Sequence, residues 1–257
     1  MTNWIYPSNQ RKKTRFYHFN IVISNNICNF ATSSPCILIV DMKLESILSQ
    51  FKDSSDEKEL QKEFKTLAPA FLYGGYIQVR EDYQIYIRTV EFYFHSEKKD
   101  GIHDPIVYHR NGRVLESVPY FPLMTLHAHN SGFDITFESE TEKYRASALI
   151  RSYEVKDTDG NYLKWEKNKD GIYMFLKTSD YCYNTQSTYL YSLLNGFNLD
   201  NNNDVKWIDS PRAQSLPLKE KTRQNVFKSE SEWEYITTKL RKERCKREWS
   251  FTREERV

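Results

Sequence analysis

A glutamate in the middle of an apolar run is the first residue of this chain that invites chemistry. Glu91 lies in Ile85-Tyr86-Ile87-Arg88-Thr89-Val90-Glu91-Phe92-Tyr93-Phe94, a stretch of β-branched and aromatic residues that reads as a strand. Simple alternation puts Ile85, Ile87, Thr89, Glu91 and Tyr93 on one face and Tyr86, Arg88, Val90, Phe92 and Phe94 on the other. A carboxylate buried there without a partner costs several kcal/mol, so Glu91 either faces water or is kept for a reason. Arg151, between apolar neighbours on a second predicted strand, has the mirror-image need. Its guanidinium stays charged and requires an acceptor, and Glu91 is the natural one. The same logic applies to Asp134, lodged in Gly132-Phe133-Asp134-Ile135-Thr136-Phe137.

Five of the six histidines, His95, His103, His109, His127 and His129, fall within one 35-residue stretch. Three readings compete. His127-x-His129 on one strand face, with Asp104 or Glu91, supplies a metal site. The imidazoles and Tyr93 supply flat faces for a planar ligand. Scattered polar loop histidines do neither. Walker, H-E-x-x-H, G-x-S-x-G and G-x-G-x-x-G motifs are all missing.

The elements that must position these residues follow from periodicity. Leu44, Ile47, Leu48 and Phe51 have helical spacing, as do Leu60, Phe64 and Leu67, and Pro69 is expected to end that second helix. Gly74-Gly75 breaks the chain. Strands are predicted from Tyr76 to about Tyr93 with a turn near Glu81-Asp82, from Leu126 to Phe137 around Asn130-Ser131-Gly132, and from Arg145 to Val155 before a turn at Asp157–Gly160. His109-Arg110-Asn111-Gly112 leads into a tight turn. A short helix is expected over 187–195 and a longer one from about 230 to 247. The pattern has no regular βαβ spacing, so the expected class is α+β around a curved antiparallel sheet with flanking helices, a single domain. Residues 1–41 lack clear periodicity and are read as an N-terminal extension outside the fold, with Met42 a candidate start; residues 42–257 form the domain.

Composition narrows the class. With 257 residues, 28% charged and 15% aromatic, the chain is globular and can bury a full core. No apolar run nears the roughly 18 residues of a membrane helix. Cys28, Cys36, Cys182 and Cys245 form no C-x-x-C pair, which points to free thiols in a reducing cytoplasm. The net charge of +2 is uneven: residues 1–41 hold four basic side chains and one acid, leaving 33 basic and 34 acidic residues in 42–257. Nucleic acid, if bound, meets a local patch rather than a basic body.

Several stretches, in order, resemble the methylpurine (3-methyladenine or alkyladenine) DNA glycosylase family. Leu67-Ala68-Pro69-Ala70-Phe71-Leu72-Tyr73-Gly74 is similar to the end of its opening helix, and Thr89-Val90-Glu91-Phe92-Tyr93 to its E-T-E-A-Y strand. Asp104-Pro105 with His109-Arg110-Asn111-Gly112 resembles the loop carrying its pocket histidine. Thr125-Leu126-His127-Ala128-His129 stands where the family has a tyrosine-rich strand. Ala148-Leu149-Ile150-Arg151-Ser152-Tyr153-Glu154 is close to its V-L-L-R-A-x-E-P strand, and Ser210-Pro211-Arg212 matches a late S-P-R. The resemblance covers roughly residues 60–215.

The resemblance implies a formyltransferase C-terminal-like, alkyladenine glycosylase-like fold and a DNA repair glycosylase. Its action would be to hydrolyse the N-glycosidic bond of an alkylated or deaminated purine. Glu91 would activate the water, with Arg151 orienting it. Tyr93, His109 and His127 or His129 would hold the flipped base, and Asn130, Ser131 and Arg212 would meet the nucleic acid. This agrees with the chemistry: a carboxylate near C1′ activates water and stabilises an oxocarbenium-like state, and electron-rich rings favour an electron-poor alkylated purine. No metal or organic cofactor is implied, nor a catalytic lysine, so hydrolysis without strand cleavage is expected, by a cytoplasmic monomer acting on DNA. The family inserts a bulky side chain just before the glycine, where this chain has Ser131. A serine cannot fill a base-sized gap, which points to a changed substrate, single-stranded DNA among them. Two rivals stand beside this reading: a nucleic-acid- or nucleotide-binding module on the same fold, and a histidine-based metal-dependent hydrolase.

Overall fold

The computed structural model describes residues 43–104, 119–129, 132–185, 190, 204–214, 216–223 and 247–254. The readings made for residues 1–41, for His109, Asn130 and Ser131, and for the helix from about 230 lie outside them. So does the helix over 187–195, apart from Leu190, which is helical and buried. The described residues belong to one compact unit.

Helix α1 (Leu44–Leu48) and helix α2 (Glu57–Tyr73) precede the sheet. Asp56 caps α2, its carboxylate accepting from the backbone N–H groups of Lys58 at 2.7 Å and Glu59 at 3.3 Å, which stabilises the first turn by about 1 kcal/mol. Leu60, Phe64, Leu67 and Phe71 line its buried side. Pro69 does not end the helix, contrary to the sequence expectation. A proline inside a helix costs about 3 kcal/mol, but the turn that follows buries Ala70, Phe71, Leu72 and Tyr73. Burial of Phe71 and Leu72 alone is worth about 1.5–3 kcal/mol each, enough to carry the helix through.

Among the described residues, all strand pairings are antiparallel and belong to one curled sheet, a half-barrel with few helices. The strands are β1 (Gly75–Val79), β2 (Tyr83–Ser96), β3 (Leu126–His129), β4 (Gly132–Thr136), β5 (Tyr144–Asp157), β6 (Tyr162–Lys167), β7 (Tyr173–Thr178), β8 (Val205–Asp209), β9 (Lys219–Lys221) and β10 (Ser250–Thr252). The main path runs β3-β4-β5-β2-β1-β8. The 14-residue strands β2 and β5 form its spine, and each changes partner along its length. β2 pairs with β1 at its start, over Tyr83–Ile85, and with β10 at its middle, over Thr89–Glu91; β5 pairs with β4 first and β6 later.

Where the partners change, the spine carries a double bulge. Ile87 pairs with Tyr153, Thr89 with Ser152, and Val90 with Ile150, leaving Arg88 and Arg151 outside the ladder, one on each strand. Each extra residue flips the faces of the residues beyond it. Simple alternation along β2 therefore fails: Ile85 and Ile87 enter the core before the bulge, and Val90, Phe92 and Phe94 enter it after. β5 switches likewise, from Ala146, Ala148 and Ile150 to Tyr153 and Val155. The core lies between this face and α2, where Phe64 stacks on Phe92 at 4.6 Å and Phe71 meets Phe92 edge-on at 5.6 Å. Trp249 and Phe251 of the β10 region complete it.

Candidate functional site

The bulge turns Glu91 and Tyr93 onto the sheet face away from α2. There, pairing lines up Ser250 (β10), Glu91 (β2), Leu149 (β5), Asp134 (β4) and His127 (β3) across five strands. Glu91 is 0% exposed. Arg151 is freed from the ladder, and its Nε donates to Glu91 Oε2 at 2.7 Å. The Tyr93 hydroxyl donates to the same oxygen at 3.1 Å, and Arg151 Nη2 donates to the Tyr93 oxygen at 3.1 Å. The pairing of Arg151 with Glu91 expected from sequence is present, and Tyr93 closes the ring of contacts.

This arrangement fixes charge. Burial pushes the Tyr93 phenol well above its usual range, and the Glu91 carboxylate pushes it further, so Tyr93 remains a neutral donor. Burial works against a charged Arg151, but Tyr93 and Glu91 outweigh it and hold the guanidinium charged. The ring of Tyr93 is also used. Arg223 lies 4.8 Å from its ring centroid and 5.0 Å from Trp249, and donates to Asp104 Oδ2 at 2.6 Å. Burial again opposes the charge on Arg223, and Asp104 and Tyr93 together raise its pKa. Asp104 also has Arg247 Nη1 at 3.6 Å, and its backbone N–H donates to His95 Nδ1 at 3.0 Å. Arg247 continues to Glu57 at the start of α2 with a 2.7 Å bond. Arg223 and Asp104 thus act on the site through Tyr93; their sequence surroundings held no signal for this.

A second feature escaped the sequence reading. Phe121 packs against the cluster of Tyr93 and Leu149, Leu149 being the residue paired with Glu91, and its ring lies 4.6 Å from that of His127. The segment before β3 is strapped down to put it there. The carbonyl of Pro119 accepts from Arg145 at 2.9 Å, the Tyr120 hydroxyl donates to Glu97 at 2.6 Å, and the Phe121 N–H donates to Glu138 at 2.7 Å. Arg145, almost fully buried, also reaches Glu97 at 2.7 Å and Glu138 at 3.6 Å.

The remaining predicted residues divide. His127 joins the site; His129 ends β3 opposite Gly132. Arg212 does not approach Glu91. Its Nη2 donates to the carbonyls of Leu72 and Gly75 at 3.3 Å and its guanidinium lies 4.7 Å from the Tyr86 ring, on the other side of the bulge. Burial, then Arg253, brings its pKa down to about 10. The metal reading finds no cluster: among the described residues, no three of His, Cys, Asp or Glu converge so as to hold an ion. No helix among the described residues is long and apolar enough to cross a membrane.

Fold and site together define a curled antiparallel-sheet protein with a Glu–Arg–Tyr triad, its glutamate and tyrosine buried and its arginine part-buried, on the face away from its long helix. Comparison with protein-family models, curated proteins and solved structures gives no match.

Proposed function

We propose that this chain hydrolyses the N-glycosidic bond of a damaged purine in DNA. The observation that carries the reading is the buried triad: a carboxylate with an arginine and a tyrosine on one of its oxygens. Glu91 takes a proton from a water molecule as the water oxygen bonds to C1′. The C1′–N bond breaks and its electron pair leaves with the base. Positive charge on the sugar in the transition state is stabilised by the same carboxylate. Arg151 and Tyr93 position Glu91. Phe121 and His127, both part-exposed, offer aromatic surface to the base. Tyr93 is given a positioning role, rather than the stacking role the family resemblance implied, because the residue is 7% exposed and its ring lies against Arg223.

One observation favours the second reading, a nucleic-acid- or nucleotide-binding module without hydrolysis: Glu91 is 0% exposed, so water must be admitted before it acts. Base release separates the two. The substrates are a duplex and a single strand, each holding one hypoxanthine or ethenoadenine, with Glu91→Gln as the control. Release by the wild type and none by the Gln variant is the expected result. Tight binding without release moves the function to the module, and release by the Gln variant removes Glu91 from the role of base.

A further inference from the structure

The face that carries Glu91 continues across the bulge into a row of tyrosines. Tyr76 of β1 and Tyr86 of β2 lie 5.2 Å apart between centroids, Tyr162 of β6 and Tyr181 lie 5.3 Å apart, and Tyr183 is 6.3 Å beyond. Tyr183 is 44% exposed and the others are part-exposed. Cations lie over these rings. Lys156 is 4.9 Å from the centroid of Tyr162 and 5.6 Å from that of Tyr86, Arg212 is 4.7 Å from Tyr86, and Arg88 is 4.3 Å from Tyr183.

The acid of the cluster is Glu154, which is fully buried. It lies under the tyrosine row, with Arg253 at 3.0 Å, Arg88 at 3.7 Å and the Tyr181 hydroxyl donating at 3.1 Å. Around it, among the described residues, stand four cations, Arg253, Arg88, Lys156 and Arg212, the last three part-exposed. Burial is the main cause that lowers the pKa of both Lys156 and Arg212; at Lys156 Glu154 opposes it, with Arg212 and Arg253 adding to the lowering, and at Arg212 Arg253 adds to it. Such a cluster favours an anion. A cation over an exposed ring gains little from it, while a charge-assisted bond to phosphate is stronger, so Lys156 and Arg88 can pass to a phosphate and leave a ring to a base, while Arg212 stays on the Leu72 and Gly75 carbonyls.

We propose that this tyrosine–cation row is a platform for single-stranded nucleic acid, its rings stacking bases and Lys156 and Arg88 taking phosphates. Stacking on rings combined with a positive track is how strands are held without sequence preference. Tyr86 and Glu91 are five residues apart on one strand, about 16 Å at the usual rise, so a strand lying on the platform leads toward the triad. The platform extends the reading of the triad but does not need hydrolysis to occur.

The test is fluorescence anisotropy of the full chain with a labelled, undamaged oligothymidine at several salt concentrations. Lesion chemistry plays no part in it, so its failure is separate from failure of the glycosidase reading. Wild-type protein is expected to bind, with affinity falling as salt rises. Lys156→Ala should reduce the logarithmic salt slope by about 0.7, the share of one phosphate contact on a single strand. Tyr183→Ala should weaken binding by roughly fivefold to a hundredfold, the effect of losing one stacked base. Lys169→Ala, an exposed change on the β6–β7 turn, should leave binding unchanged. Melting curves and circular dichroism check that each variant is folded. No binding at low salt overturns the proposal, as does binding that folded Lys156 and Tyr183 variants retain in full. Equal loss in the Lys169 variant overturns it too, because the attraction would then be diffuse.

Discussion

Replacing Arg151 by Met tests whether the triad is held by charge. The substitution keeps an unbranched apolar stem and removes the guanidinium, leaving Glu91 at 0% exposure without the 2.7 Å bond to its Oε2. Breaking a buried ion pair from one side costs about 3–5 kcal/mol. At about 2–4 °C per kcal/mol for a chain of this size, the melting temperature should fall by roughly 6–20 °C. Glu91→Gln should cost less, about 1–3 kcal/mol, because the Arg151 side chain is 15% exposed and keeps its bond to Tyr93. Once Glu91 is neutral, Arg151→Met removes no partner from a charge, so the double variant should be more stable than the sum of the singles by about 2 kcal/mol. Urea unfolding of the four proteins, followed by circular dichroism, measures this coupling. Additivity within about 0.5 kcal/mol, or an unchanged melting temperature for Arg151→Met, would refute the partnership.

Phe121→Ala should cut base release, with the loss in KM rather than in the pH dependence of kcat; steady-state kinetics on the lesion oligonucleotide decides this. Asp157 is held near pKa 2, below its ordinary 3.8, chiefly by Lys177 and also by Asn161, against the opposing effect of burial. A carboxylate depressed on folding stabilises above its unfolded value and loses that contribution as pH falls toward its folded one. Asp157→Asn should therefore flatten the pH dependence of stability between about pH 4 and 2, read from urea midpoints across that range. Gly75→Ala should destabilise by about 1–3 kcal/mol, since an added Cβ would stand 2.1 Å from the Ile208 carbonyl oxygen of the paired strand β8; an unchanged melting temperature would mean that β8 can move.

Local periodicity and the needs of buried charge were legible in the sequence. α2 is written in Leu60, Phe64 and Leu67, and the first five strands in their apolar runs and turns. The pairing of Glu91 with Arg151 followed from the requirement that a half-buried guanidinium find an acceptor. The double bulge was not legible, because its cause is the simultaneous fit of two strands rather than a property of either. With it went the assignment of faces along β2. Strands β6 and β7 were passed over, their charges masking Leu163, Trp165 and Phe175, although Asn168–Gly171 is a turn signal. β10 was hidden in a basic stretch and is a strand because β2 offers it an edge. Phe121 and Arg223 reach the site only through long-range contacts: Arg223 and Asp104 are 119 positions apart.

The place of β10 sets an order in time. Thr252 meets Thr89 across 163 positions, and Ser250 pairs with Glu91 itself. A chain emerging from the ribosome can close the β1–β2 hairpin early, since those contacts are local. The edge of β2 that carries Glu91 must then wait for β10, an open edge able to pair with other chains. Trp249 and Phe251 bury only at that step, so the triad reaches its final surroundings as the core closes. Agents that slow docking of β10 should therefore leave a nascent chain with helix and hairpins formed and the Glu91 edge still open.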